Sequence, residues 1–176
     1  MSVVRAPIAA MLAALAALLL TAAVPAAAQT AAVGPGTTGL KLPRFVSIKS
    51  RAAEVNLRTG PGTRYPVDWV LLRPRWPLEV IAEYEAWRQV RARDGTVGWL
   101  HHTMLSGERT AIVAASRVEL RRDPAADAAT VAIAEAGAVA DLRECEGAWC
   151  RLSADSVSGW VPRAALWGVY PDEDVK

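Results

Sequence analysis

Two thiols and two imidazoles are the groups in this chain best equipped for bond-making chemistry. Cys145 and Cys150 lie in CEGAWC, and His101 and His102 lie in GWLHHT. A thiol beside an imidazole is what a wall-cutting cysteine peptidase needs, but a reactive thiolate also needs a helix N-terminus or a nearby cation. Here both cysteines flank a Glu-Gly turn in alternating, strand-like sequence. They are therefore expected to form a disulfide across a hairpin in an oxidising compartment. Adjacent histidines on a strand point to opposite faces and cannot both face one metal. No third histidine or paired carboxylate accompanies them, so they are read as polar residues leaving a strand. Glu83 and Glu85, and Asp172, Glu173 and Asp174 in the terminal PDEDVK, are read as solvated, because a glycosidase pair needs a deep cleft. Gly60-Pro61-Gly62 is followed by Thr-Arg-Tyr-Pro rather than by a lysine and a helix, which excludes a phosphate-binding loop. The expectation is a protein without catalytic residues, metal or cofactor.

The segments that must hold these residues are organised simply. Residues 1–28 contain one basic residue, Arg5, then a long uncharged Ala/Leu run closing on Pro25 and three alanines. That is the pattern of a cleavable export signal, with a retained membrane anchor as the rival reading. Residues 29–42, QTAAVGPGTTGLKL, read as a flexible leader. The formal net charge is +2, with both signs interspersed, so no basic stripe argues for a nucleic-acid partner. Past the leader the chain repeats itself. Val55-Asn56-Leu57-Arg58, Pro61, Trp87, Gly98-Trp99 and Leu105 return as Val118-Glu119-Leu120-Arg121, Pro124, Trp149, Gly159-Trp160 and Leu166, displaced by about 62 residues. Each unit alternates like short strands, and Asp94-Gly95 predicts a tight hairpin with positive φ at both central positions. The predicted class is all-β: two small barrels over residues 43–108 and 109–170, then a polar tail over 171–176. Closure of each barrel is expected to remove exposed strand edges.

NLRTGPGTRYP followed by an alternating strand, W-x-x-V, an Asp-Gly hairpin and Gly-Trp-Leu resembles the bacterial SH3-like (SH3b) domains. The whole arrangement resembles exported proteobacterial proteins with tandem copies. The second copy is weaker, since ELRRDPAADAA keeps Arg121 and Pro124 but neither glycine nor the tyrosine. The resemblance implies five- or six-stranded barrels with the Gly-Pro segment as a loop beside a groove. Gly60 and Gly62 are then expected to supply unusual backbone angles, and Asn56 or Arg58 to tie the loop down.

The chain holds seven tryptophans and one phenylalanine, more indole than one small core buries well. Trp99 and Trp160 suit core or groove equally, Trp87 and Trp149 are read as structural, and Trp69 as at least half buried. Trp76, between prolines in RPRWP, is the best exposed candidate. With the loop these give a candidate ligand set of Arg58, Arg64, Tyr65, Pro66, Trp76 and Trp99. The resemblance implies peptidoglycan or its peptide stems as ligand in a periplasmic setting, with the arginines meeting stem carboxylates. A docked envelope protein is the alternative, a wall hydrolase a distant third, and no membrane span is expected once the signal is removed.

Overall fold

Alternating apolar residues dictate strands, and the computed structural model, which describes Gly39 and residues 41–176, consists of strands, turns and two short 3-10 segments. The export signal over residues 1–28 and most of the leader over 29–42 lie outside the described residues. Among the described residues no helix is long and apolar enough to cross a membrane.

The first repeat forms β1 (Arg44–Ile48), β2 (Val55–Arg58), β3 (Val67–Leu71), β4 (Pro77–Tyr84), β5 (Trp87–Arg91), β6 (Val97–His101) and β7 (Leu105–Ser106). The second forms β8 (Thr110–Val113), β9 (Arg117–Arg121), β10 (Thr130–Glu135), β11 (Val139–Glu146), β12 (Trp149–Ala154), β13 (Val157–Pro162) and β14 (Leu166–Trp167). Both sheets have the same order, β3-β2-β6-β5-β4-β1-β7 and β10-β9-β13-β12-β11-β8-β14. Seven strands replace the expected five or six in each unit, and β7 and β14 are only two residues long.

Period-two alternation sets the cores. Val55, Leu57, Val90 and Leu100 are at most 1 % exposed in the first barrel. Their repeat counterparts Val118, Leu120, Leu152 and Val161 line the second core. A register shift lies between Val80 and Ala82 in β4 and again between Leu142 and Glu144 in β11. The repeat therefore extends to its bulges, which bend each long strand around its core.

Two expectations need correction. In the Asp-Gly hairpin only Gly95 has positive φ, +89°. The Gly95 N–H donates to the Ala92 carbonyl at 3.0 Å, so Arg93 and Asp94 are the central pair and Gly95 takes the left-handed position that follows. Closure is also incomplete in hydrogen-bonding terms. Each ladder has two ends, β3 and β7 in one sheet and β10 and β14 in the other.

The barrels share a buried seam. Ser47 and Thr110, each 1 % exposed, place their hydroxyls 2.7 Å apart. Phe45 meets Trp167 edge-on at 5.1 Å and Tyr170 at 4.7 Å. The Tyr170 hydroxyl donates to Glu79 Oε1 at 2.6 Å, while Arg91 Nε donates to Glu79 Oε2 at 2.8 Å. Asp172 and Asp174 are exposed as expected of a polar tail, but its neighbours are not. Val175 is buried and its carbonyl accepts the Cys145 N–H at 3.0 Å. Glu173 is ion-paired with Arg109 and accepts the Tyr170 N–H at 3.1 Å. Arg163 donates to the carbonyls of Tyr170, Pro171 and Glu173 at 2.8–2.9 Å. Two arginines thus hold the tail against the second barrel.

Candidate ligand-binding site

The β2–β3 loop is a small closed structure. The Thr59 N–H donates to the Pro66 carbonyl at 3.1 Å, and the Tyr65 N–H to the Gly62 carbonyl at 3.2 Å. Arg58 projects from the end of β2 and donates Nη1 to the carbonyls of Tyr65 at 2.8 Å and Thr63 at 3.2 Å. Its planar fork is well shaped to gather acceptors, and this is the tie expected of Asn56 or Arg58. In the second repeat Arg121 Nη1 donates to the Ala128 carbonyl at 2.7 Å, so the arginine tie survives where the loop's glycines do not.

The loop glycines have a different reason from the one expected. Neither Gly60 nor Gly62 is among the positive-φ residues. A Cβ on Gly60 would lie 2.5 Å from Tyr65 Cδ1, and one on Gly62 would lie 3.4 Å from Cδ2. At Gly60 the need is room, because the phenol ring lies back over the loop backbone, whereas a Cβ on Gly62 would make only ordinary contact. Arg64 Nη2 reaches the Tyr65 hydroxyl at 3.3 Å, its guanidinium 5.1 Å from the ring centre. Pro66 is exposed beside them.

Register places the remaining aromatics. Trp99 of β6 stands between Gln89 of β5 and Arg58 of β2, half-buried on the outer face. Its neighbour Gly98 packs inward, since a Cβ there would lie 2.4 Å from Leu57 Cγ. That contact is why Gly-Trp accompanies the leucine of V-x-L-R; Gly159 meets Leu120 in the same way, at 2.8 Å. One row along, Tyr84, Trp87 and His101 are cross-strand neighbours, with Trp87 edge-on to His101 at 5.5 Å. The sequence alone does not single out Tyr84, and it reads His101 as a polar residue leaving its strand and Trp87 as structural. The signal was present, because Trp87 has the parity of Gln89 and not of the buried Val90. The two histidines are not on opposite faces: His102 begins a 3-10 turn and its ring lies 4.8 Å from that of His101. Among the described residues no three His, Cys, Asp or Glu groups could hold a metal ion.

Trp76 and Trp69 exchange their expected places. Trp76 packs against the first core with Arg73 5.1 Å from its ring centre, whereas Trp69 is 56 % exposed. Trp76 belongs with Trp69 and Leu72 in a separate cleft, not with the loop.

Glu83 is the other reversal. Its side chain is fully buried and pairs with Arg44 Nη2 at 2.9 Å and Arg88 Nε at 3.1 Å. Arg88 also donates to the carbonyls of Glu85 and Trp87 at 2.8 and 2.9 Å, so the charges are paired and hydrogen-bonded as burial demands. Cys145 and Cys150 form a disulfide. They are register partners across the β11–β12 hairpin, as Glu83 and Arg88 are across β4–β5. One repeat fills this position with an ion pair and the other with a covalent bond. The second barrel keeps both tryptophans and changes their neighbours, for Trp149 stands between Glu146 and Pro162, and Trp160 between Arg151 and the Arg58 counterpart Arg121.

A family model described as a bacterial SH3 domain matches twice, over residues 51–107 and 114–168. No curated protein matches the chain. Among solved structures, NlpC2 from Trichomonas vaginalis is similar at 11 % identity and a TM-score of 0.34, over 77 % of this chain and 51 % of that one. NlpC1 from the same organism is similar at 10 % identity and a TM-score of 0.32, over 74 % and 48 %. An NlpC/P60 family protein from Bacillus cereus shows 12 % identity and a TM-score of 0.31, over 70 % and 55 %. The chain spans about half the length of each of these structures.

Proposed function

The chain belongs to the bacterial SH3 domain family, both of its repeats being matched, and on that premise we propose that it is a non-catalytic binding protein of the cell envelope. Its first barrel holds peptidoglycan, or the peptide stems of peptidoglycan, against the loop at residues 60–66 and the adjoining outer face. The observation that carries this is the contrast between two barrels built on one plan. The first sets Tyr84 and His101 beside Trp87 and Gln89 beside Trp99, whereas the second keeps both tryptophans but sets Glu146 and Pro162 beside Trp149 and Arg151 beside Trp160. Aromatic side chains give large contact area at low entropic cost, and Arg64 beside Tyr65 offers a cation to stem carboxylates. Export to the periplasm fits the disulfide, which persists in oxidising compartments. Both cysteines are consumed in that bond, which supports a binding role over cysteine-dependent hydrolysis.

The test is co-sedimentation of the full chain with purified, protein-free sacculi. Retention that falls on Trp99→Ala and Trp87→Ala supports the reading. No retention on bare sacculi, with retention on sacculi that keep their proteins, would transfer the site to an envelope protein. Release of soluble wall fragments would make the chain a hydrolase and sink the non-catalytic assignment.

A further inference from the structure

We propose that the free edge of the first barrel, at the end of β3 away from the loop, is a docking site for an extended segment of a partner polypeptide that carries a carboxylate. Among the described residues strand β3 ends its sheet and pairs only with β2. Every second residue on such an edge turns its N–H and C=O outward, a template for one more strand. Natural edges are usually blunted by lysines, prolines or bulges. This one bulges at its loop end, where the register against β2 shifts beside Asp68, but its far end reads Trp69-Val70-Leu71, with Leu72 following, and has no lysine or proline. Its large residues are exposed on both faces of the strand: Val67 42 %, Trp69 56 %, Val70 46 % and Leu72 64 %. Only an added strand covers both faces and meets the backbone groups at once.

The edge adjoins a cleft of about 320 Å³ lined by Trp69, Leu72, Trp76 and the β5–β6 turn. Arg73 lines this cleft and Arg93 the adjoining hollow that shares Trp76 and Asp94; Arg93 donates to the Ala114 carbonyl at 3.1 Å, and neither arginine is ion-paired among the described residues. Asp94 is the one carboxylate there, and it accepts the Thr96 N–H at 2.9 Å. The surplus cation selects a carboxylate on the incoming segment, and the indole-lined cleft takes an apolar side chain.

The second barrel shows that the fold does not require these residues. Strand β10 occupies the same edge, and the register Leu57↔Trp69 against Leu120↔Ala132 puts Ala132 in the place of Trp69. By the same count Leu72 becomes Glu135, and by the offset of β4 to β11, in which Val80 corresponds to Leu142, Trp76 becomes Ala138. A barrel closes well enough without the aromatic edge.

Random decapeptides displayed on phage, selected on the full chain and resynthesised as free acids, supply the probe. Trp69→Ala/Leu72→Glu installs residues that the second barrel already uses, and an unchanged melting profile checks folding. Selected peptides should alternate apolar residues and carry an acidic group. The double variant should weaken them about tenfold or more, and Arg73→Glu about fivefold. Tyr65→Ala should leave them unaffected, and binding should protect amides of β3 from hydrogen exchange. The idea is overturned if no peptide is enriched over the double variant, or if binding follows Tyr65 instead. A dimer of the parent chain dissolved by the double variant would overturn it too, because the occupant would then be a second copy. Sacculus retention by the double variant reads the other face independently.

Discussion

Glu85 holds a φ of +48° at the tip of the β4–β5 turn, where the second repeat has Gly147 at +52°. A left-handed backbone costs a residue with a Cβ roughly 1–2 kcal/mol, partly offset by the extra freedom glycine has when unfolded. Glu85→Gly should therefore stabilise the protein by about 0.5 kcal/mol, read as a higher urea midpoint at unchanged slope. The Glu83–Arg88 pair one step below is more sensitive. Glu83→Gln leaves the Arg88 side chain, 8 % exposed, without its counter-charge, a loss of about 3 kcal/mol or more. Glu83→Cys/Arg88→Cys should instead form a bond like Cys145–Cys150, and persistent free thiols after oxidation would count against the equivalence of the two hairpins. The sequence showed the disulfide, because Cys145 and Cys150 flank a Glu-Gly turn in strand-like sequence. It did not show that Glu83 points inward, because isolated charges belong on the surface by default and Arg44 reaches Glu83 only once β1 lies beside β4.

At the scale of elements, the β2–β3 loop and the C-terminal tail are both held by arginines that donate to several acceptors at once. Gly60→Ala would drive a methyl into the Tyr65 ring, so it should displace the tyrosine and weaken sacculus retention while the barrel core survives. Tyr65→Ala removes the ring itself and should cost about 1–3 kcal/mol of binding if Tyr65 is an anchor; retention equal to the parent's would make the loop merely structural. The tail responds to pH. Burial alone would raise the Glu173 carboxyl, but the hydrogen bond from Arg109, the Tyr170 N–H and the charges of Arg109 and Arg163 outweigh it and hold the carboxyl below its usual range. Its stabilisation is thus fully present above the unfolded value of about 4.3 and is lost as pH falls through the lower folded value. Acid should release the tail, seen as a loss of protection of the Cys145 amide relative to its intrinsic exchange rate at each pH, and Glu173→Gln should flatten that dependence. The tail's charges were legible, but its attachment was not, since Arg109 lies far from Glu173 in sequence.

For the whole molecule, the seam makes one folding unit of two repeats. Burial raises the Tyr170 phenol, and the Glu79 hydrogen bond and charge add to it, so the hydroxyl stays a donor to Glu79 well into alkali. Tyr170→Phe leaves a buried carboxylate oxygen short of a donor, at about 1–3 kcal/mol. The parent should melt in one calorimetric transition, and Phe45→Ala/Tyr170→Phe should split it into two; two transitions in the parent would show that the seam does not couple the barrels. Sequence alone determined the repeat, the strands, the two cores and the disulfide, because those follow from period-two alternation and from residues close together in the chain. Tertiary structure decided the rest: Glu83 inside, Trp76 against the core, Trp69 in solvent, Val175 buried, and β3 left as an open edge. Each depends on which strand end or loop lies alongside from the far side of the barrel, and a single strand's pattern carries no record of that neighbour.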